Sequence, residues 1–148
     1  MVISSVDIIK ISYHKYIENK MYKPNGYNSL SPYFVAEGAT RLVDQLAEIF
    51  EVEEMRTYVD DNDEILHGEF RIEDTVIMVA NATDEYPPNQ MLVHVYVEDV
   101  DETFRKALEA GCQELQKPNE SESDPDRRGM FKDLAGNTWA VGTQIREK

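Results

Sequence analysis

Three polar side chains alternate along one short stretch, His67, Glu69 and Arg71, with the apolar Phe70 and Ile72 in the intervening register. Side chains two apart on a strand share a face, so this spacing gathers an imidazole, a carboxylate and a guanidinium on one side. A histidine beside a carboxylate can work as a general base, and Arg71 can steady an oxyanion. His94 and Tyr96 repeat the alternation further on, the phenol being a second candidate for the oxyanion. The same residues have a plain structural reading, a Glu69–Arg71 salt bridge and two hydrogen-bonded structural histidines. Asp126-Arg127-Arg128 offers charge either to an anionic ligand or to surface ion pairs. Cys112, the single cysteine, follows Gly111 at an expected helix end with no CxxC partner, and reads as a small buried apolar residue.

The chain that positions these groups has 148 residues, 41% of them hydrophobic, enough for one domain or two small fused modules with a real core. One cysteine excludes an intramolecular disulfide framework and a thiolate-built zinc site. The longest apolar runs, such as Val76 to Ala80, fall far short of the roughly 20 residues that cross a bilayer, and charges occupy residues 1–20 where a signal peptide needs an apolar stretch. We therefore expect a cytoplasmic protein with no membrane partner. A net charge of -14 disfavours phosphate backbones, so nucleic acid is not an expected partner. Residues 1–29 stand apart, with Lys10, Lys15, Lys20 and Lys23 against Asp7 and Glu18.

Within that first segment, Val6, Ile9, Tyr13, Tyr16 and Ile17 recur at helical spacing between a Ser4 or Ser5 cap and a Pro24-Asn25-Gly26 stop. This predicts an added helix over 4–22, serving as a dimer contact, a lid or simple outer packing. From residue 30 the pattern reads strand 30–35, helix 40–50, strands 55–60, 65–72 and 75–80, with turns at Asp61-Asn62-Asp63 and Glu73-Asp74. After a Tyr86-Pro87-Pro88-Asn89 linker the order repeats: strand 91–97, helix 101–110, strands 113–117, 129–133 and 138–143. An offset of 62 residues carries Val35 onto Val97, Leu42 onto Phe104, Asp74 onto Gly136 and Val79 onto Val141. The organisation expected is an N-terminal helical extension (1–29), a first βαβββ module (30–82), a linker (83–90) and a second module (91–144). The fold class is α+β, two tandem βαβββ modules forming a cupped mixed sheet. Small open sheets of this kind must close against another, so paired modules, and a homodimer, are expected.

Several runs together resemble the vicinal-oxygen-chelate superfamily (glyoxalase, bleomycin resistance protein, dioxygenase), and its PhnB-like branch above all, over roughly residues 30–144. They are Ser31-Pro32-Tyr33-Phe34-Val35, His67-Gly68-Glu69-Phe70-Arg71-Ile72, His94-Val95-Tyr96-Val97-Glu98-Asp99-Val100-Asp101, Asp126-Arg127-Arg128-Gly129 and Asp133-Leu134-Ala135-Gly136-Asn137-Thr138-Trp139. The chain departs from the pattern at Gln45-Leu46, where an aromatic pair is usual, and in the polar, acidic loop from Asn119 to Pro125.

Metal-dependent members of the superfamily draw ligands from the first and last strand of each module. The resemblance places those positions at Leu30, Met78, Leu92 and Ala140, none of which offers a hard donor. It thus implies no metal and no cofactor. Strand parity then gives the expected cup: an apolar floor of Leu30, Phe34, Met78, Leu92 and Ala140, and polar groups His67, Glu69, Arg71, His94 and Tyr96. That mixture suits a small-molecule pocket. The function implied is a metal-free protein binding a small organic molecule in the cup between modules. The alternative is a lyase or dioxygenase-type enzyme with non-standard catalytic residues, or with a metal shifted to His67, Glu69 and His94.

Overall fold

The computed structural model describes residues 22–147, so the helix expected over 4–22 lies outside the described residues but for Tyr22. Contacts divide the chain between Ser31 and Pro32. In the first unit, Asn28 Nδ2 donates to the Leu30 carbonyl and to Ser31 Oγ, in a stretch of turns.

The second unit is built from two copies of one motif. The first runs β1 (Tyr33–Ala36), α1 (Ala39–Ile49), β2 (Val52–Val59), β3 (Ile65–Ile72) and β4 (Thr75–Asn81). The second runs β5 (Leu92–Tyr96), α2 (Val100–Glu109), β6 (Gln113–Asn119), β7 (Asp126–Lys132) and β8 (Thr138–Gln144). Each forms a four-stranded mixed sheet, ordered β1-β4-β3-β2 and β5-β8-β7-β6, in which the first strand lies parallel to the last. β1 and β5 are thus edge strands, and neither sheet closes into a barrel.

Local chemistry accounts for the helices. Asp99 caps α2, its carboxylate accepting from Glu102 N at 3.0 Å, and Asp101 and Glu102 place negative charge against the helix N-terminus. Gly38 stands at the start of α1 with φ of 75°, where no side chain can cap, and Asn81 at the end of β4 supplies the acceptor for Ala39 N at 2.8 Å. Both helices turn an apolar face onto one core shared by the two modules. Trp139 of β8 stacks on Phe34 of β1, centroids 5.6 Å apart and planes within 1°, and tilts against Phe50 at 5.3 Å. Between the helices' ends, Gln45 donates to the Ala110 carbonyl and accepts from Leu134 N.

The internal symmetry differs from a constant offset of 62, and the difference reassigns a strand. Tyr33 pairs with Met78 and His94 with Ala140, so β1 maps onto β5 at 61 while β4 maps onto β8 at 62. Gly68 and Gly129, partners of Val79 and Val141, also stand 61 apart. The extra residue lies in the β7–β8 hairpin. Five residues separate the paired Lys132 and Thr138, against four between Arg71 and Val76.

A one-residue slip moves every side chain of a strand to the other face. Phe34, expected on the floor of the cup, is instead in the core at 1% exposure, together with Ala36. Leu30, expected beside it, precedes the strand by three residues and is 86% exposed. The residues that β1 does present to the open face are Tyr33 and Val35.

Burial of Phe34 against Trp139 makes a sharp prediction. Phe34→Ala should lose about 3–5 kcal/mol, as large-to-small aromatic substitutions in cores do. Leu30→Ala should stay within about 0.5 kcal/mol of wild type. Urea denaturation followed by tryptophan fluorescence measures both, and equal losses would put the strand back in the other register.

Candidate functional site

The face of each sheet that points away from the shared core carries the polar groups. On the first sheet, β3 presents His67, Glu69 and Arg71 as the alternation requires, and cross-strand neighbours decide their bonding. Arg71 faces Glu53 in the ladder and donates to its Oε2 at 2.6 Å; it does not pair with Glu69. Glu69 faces Arg56, whose Nη2 donates to Glu69 Oε1 at 2.8 Å, and the same oxygen lies 3.0 Å from His67 Nε2. Glu69 is 2% exposed. As the carboxylate of that ion pair, its oxygen only accepts, so His67 Nε2 carries a proton, and in the neutral imidazole Nδ1 is left as an acceptor. Tyr33 Oη donates to that nitrogen at 2.8 Å. Desolvation first, and then the Glu69 charge, push the Tyr33 phenol above its ordinary value.

The second sheet has a counterpart at the symmetry-related positions, 61 residues on: His94 for Tyr33 and Arg128 for His67. Arg128 Nη1 lies 2.6 Å from His94 Nε2. Because a guanidinium can only donate, that nitrogen accepts and the His94 proton sits on Nδ1. Arg128 also reaches Asp124 through Nε at 2.7 Å and Asp126 through Nη2 at 2.5 Å, while Tyr96 Oη donates to Asp126 at 2.7 Å. Asp126 is 1% exposed, and its Oδ1 and Thr57 Oγ1 are, among the described residues, the buried side-chain atoms with no hydrogen-bond partner. Burial first, and then Arg128, lower the His94 pKa. Arg127 pairs with Asp101 through Nε at 2.9 Å and Nη2 at 2.8 Å. The arginines of Asp126-Arg127-Arg128 are therefore held by carboxylates of their own chain.

The apolar members of the expected cup are divided by this geometry. Met78 and Ala140 lie half-buried on the open faces, as ladder partners of Tyr33 and His94. Leu92 and Tyr96 are exposed at 70% and 51%. Leu30 lies ahead of β1, and Phe34 is turned to the core side of its sheet, where it borders the smaller of the two cavities beside the sheets. Tyr33, Arg56 and Tyr58, whose side chains join this face, were missing from the expected set. Tyr33 stood in a quoted run but one position out of phase, and the β2 residues carry no signal apart from a ladder that only the fold reveals.

Two cavities border the sheets, the first on an open face and the second on the core side. One of about 600 Å³ is walled by Tyr33, Val35, Leu66, Ala80, Thr83 and Tyr86, with Asn81 and Asn89 at its edge. Another, of about 440 Å³, lies where the β3–β4 hairpin meets β5 and is walled by Phe34, Ile72, Ile77, Val93, Val95 and Trp139, with His94 and Tyr96 also lining it. Cys112 takes part in neither: it is buried, and desolvation pushes its thiol up to about 12.

The donor set does not fit a divalent ion. Met78, Leu92 and Ala140 provide a thioether and two hydrocarbons, while His67 and His94 lie on different sheets and are bonded to their own neighbours. Among the described residues no three His, Cys, Asp or Glu side chains are arranged to hold a metal. No described helix is long and apolar enough to cross a membrane.

No family model matches the chain. An uncharacterised protein of Mycobacterium tuberculosis (strain ATCC 25618 / H37Rv) is 26% identical over 133 residues, covering 80% of this chain and 76% of that protein. Among solved structures, TioX from Micromonospora sp. ML1 superposes with a TM-score of 0.68 at 21% identity, over 79% of this chain and 98% of TioX. TnmS3, an antibiotic binding protein from Streptomyces sp. CB03234, gives 0.58 at 16% identity, over 79% and 97%. A glyoxalase/bleomycin resistance protein/dioxygenase family enzyme from Burkholderia phytofirmans PsJN gives 0.59 at 12%, over 76% and 94%. The chain has the two-module glyoxalase/bleomycin-resistance-like fold.

The neutral state of His94 has a measurable consequence. Its folded pKa lies below the unfolded value of about 6.5, so on acidification the unfolded chain takes up the proton first. Stability present above about pH 6.5 is lost as the pH falls towards the folded value. His94→Gln should therefore lose less stability than wild type between about pH 7.5 and 5 in urea titrations. Parallel pH profiles would show that His94 is not held neutral.

Proposed function

We propose that this protein is a small-molecule-binding member of the vicinal-oxygen-chelate superfamily, akin to its PhnB-like branch, that works in the cytoplasm without a metal. The observation that carries this reading is the make-up of the open sheet faces. Tyr33, Tyr58 and Leu66 on the first sheet and Leu92 and Tyr96 on the second are each 40–70% exposed, and Tyr33 and Leu66 line the 600 Å³ cavity while Tyr96 borders the one of 440 Å³. A monomer seldom leaves so many large apolar and aromatic groups together in water, and such a face marks a surface that is covered in use. The polar groups among them are few and their hydrogen-bonding directions are set, which is how pockets acquire orientation and specificity. TnmS3, of the same fold, is an antibiotic binding protein, and that lends weight to an organic ligand here.

A second copy of the chain is the natural cover. Each sheet ends in an edge strand, β1 or β5, the outer edge of β1 being met by Asn89, which bonds Val35 N and the Tyr33 and Val35 carbonyls. In the dimer proposed, a two-fold contact sets the first module of one copy against the second module of the other. The cup is then completed by both chains and the ligand is held between them. Metal-assisted lyase or dioxygenase chemistry is a poor match to Met78, Leu92 and Ala140.

Sedimentation equilibrium should give twice the mass of the chain. Elemental analysis after purification without chelators should find no stoichiometric metal, and manganese, zinc or nickel should leave the Tm unchanged. Thermal shift against a library of neutral aromatic and heterocyclic compounds should yield binders whose shift falls in Tyr96→Ala. A monomer with tightly held metal would overturn the reading.

A further inference from the structure

Glu69, His67 and Tyr33 form a chain of hydrogen bonds in which exposure rises step by step. The Glu69 side chain is 3% exposed, that of His67 29%, and Tyr33 is 40% exposed. The carboxylate lies 3.0 Å from His67 Nε2, and Tyr33 Oη lies 2.8 Å from Nδ1. A buried carboxylate, a half-buried imidazole with its tautomer set by that carboxylate, and a hydroxyl at the outer end are the parts of a proton relay. Arg56 holds Glu69 from the other side at 2.8 Å, which keeps the acceptor fixed. Both imidazole nitrogens are occupied, so His67 cannot itself meet a ligand. Tyr33 can, because its ring walls the 600 Å³ cavity.

We propose that Tyr33, His67 and Glu69 are a metal-free proton-transfer site that removes a proton from a neutral carbon acid bound in this cavity. The inference rests on the reading of the first module's open face as a ligand site. In the step, the substrate C–H proton passes to Tyr33 Oη as the Tyr33 proton passes to His67 Nδ1. The electron pair of the broken C–H bond stays on the substrate, and the imidazolium is stabilised through Nε2–H by the Glu69 carboxylate. Returning the proton to the same or another carbon completes an epimerisation or isomerisation with no co-reactant. Tyr33 is the catalytic residue, touching substrate; His67 and Glu69 act through it.

The chemistry on this face also limits the substrate class. The thioether and aliphatic groups beside Tyr33, at Met78, Val35 and Ala80, supply no Lewis acid for a localised enolate. Arg56 and Arg71 are bonded to Glu69 and Glu53. The carbanion must therefore spread its own charge, as an activated carbonyl compound or an electron-poor heterocycle does. The phenol begins the step protonated, since burial and the Glu69 charge raise its pKa.

The test uses 5-nitrobenzisoxazole, a neutral heterocycle whose C3–H removal breaks the ring N–O bond and releases a coloured nitrophenolate. Its binding is followed separately by saturation-transfer NMR. Wild type should exceed Tyr33→Phe and His67→Gln by about 100-fold or more in kcat, within the range of general base catalysis, with KM little changed. Glu69→Gln should fall between. A wild-type rate equal to that of Tyr33→Phe, or no acceleration, would overturn the relay, and bound probe in the same sample would leave the ligand site standing. Nitrogen-15 NMR of His67 in the unmodified protein gives a reading free of any folding defect. An Nε2–H tautomer that turns to a mixture in Tyr33→Phe supports the relay, and an Nδ1–H tautomer overturns it.

Discussion

The contact between Trp139 and Phe34 is the joint on which the arrangement of the two modules depends. One aromatic ring comes from the last strand of the second module and the other from the first strand of the first, and they stack flat in a core neither module could close alone. The indole is held at its polar end as well. Trp139 Nε1 donates to Asp133 Oδ2 at 2.8 Å, and the same carboxylate accepts from Asn137, Ala135 N and Asn137 N. Asn137 in turn accepts from Met91 N at the entry to β5. One hairpin therefore orients the tryptophan, starts the strand beside it and, through Leu134 N and Gln45, ties the second module to the helix of the first. Buried polar groups satisfied in this way specify a single arrangement where apolar packing alone would allow several.

Directing the shared core inward has a consequence for the outer faces. With Phe34, Ile77, Val79, Trp139 and Val141 committed to the joint, strand alternation sends Tyr33, Met78, His94 and Ala140 the other way. The joint thus decides which side chains lie on the open faces. It also leaves β1 and β5 as separate edges with aromatic surface beside them, so the same packing that completes the core leaves the cup open. On a fold of this kind, stability and binding surface are divided between the two faces of one sheet.

The polar clusters of the two modules are related by position but not by chemistry. Tyr33 and His67 occupy the places of His94 and Arg128. In the first pair a carboxylate fixes a histidine that can accept a proton; in the second a guanidinium fixes a histidine held neutral, with Arg128 saturated by Asp124 and Asp126. Duplication preserved the geometry while the side chains diverged. Of the two sites, the first holds an imidazole between a carboxylate and a hydroxyl and the second holds one against a guanidinium, so the two modules carry different chemistry on one framework.

Much of this was legible in the residues themselves. The order βαβββ repeated, the β3 range 65–72 and the alternation of His67, Glu69 and Arg71 all follow from spacing and side-chain type, because periodicity is a local property of the chain. What the residues could not carry was the partner of each group. Glu69 pairs with Arg56 and Arg71 with Glu53 because β2 lies beside β3 in a bulged register, and a bulge leaves no mark in a single strand. The phase of β1 was lost for a related reason. With four residues, Tyr33–Ala36 is too short to announce its own parity, and one additional residue in a distant hairpin shifts the offset that would have supplied it. Composition and spacing determined the fold and the kinds of chemistry within reach; the ladder registers, which exist only between strands, decided that Tyr33 faces the cavity and Phe34 the core.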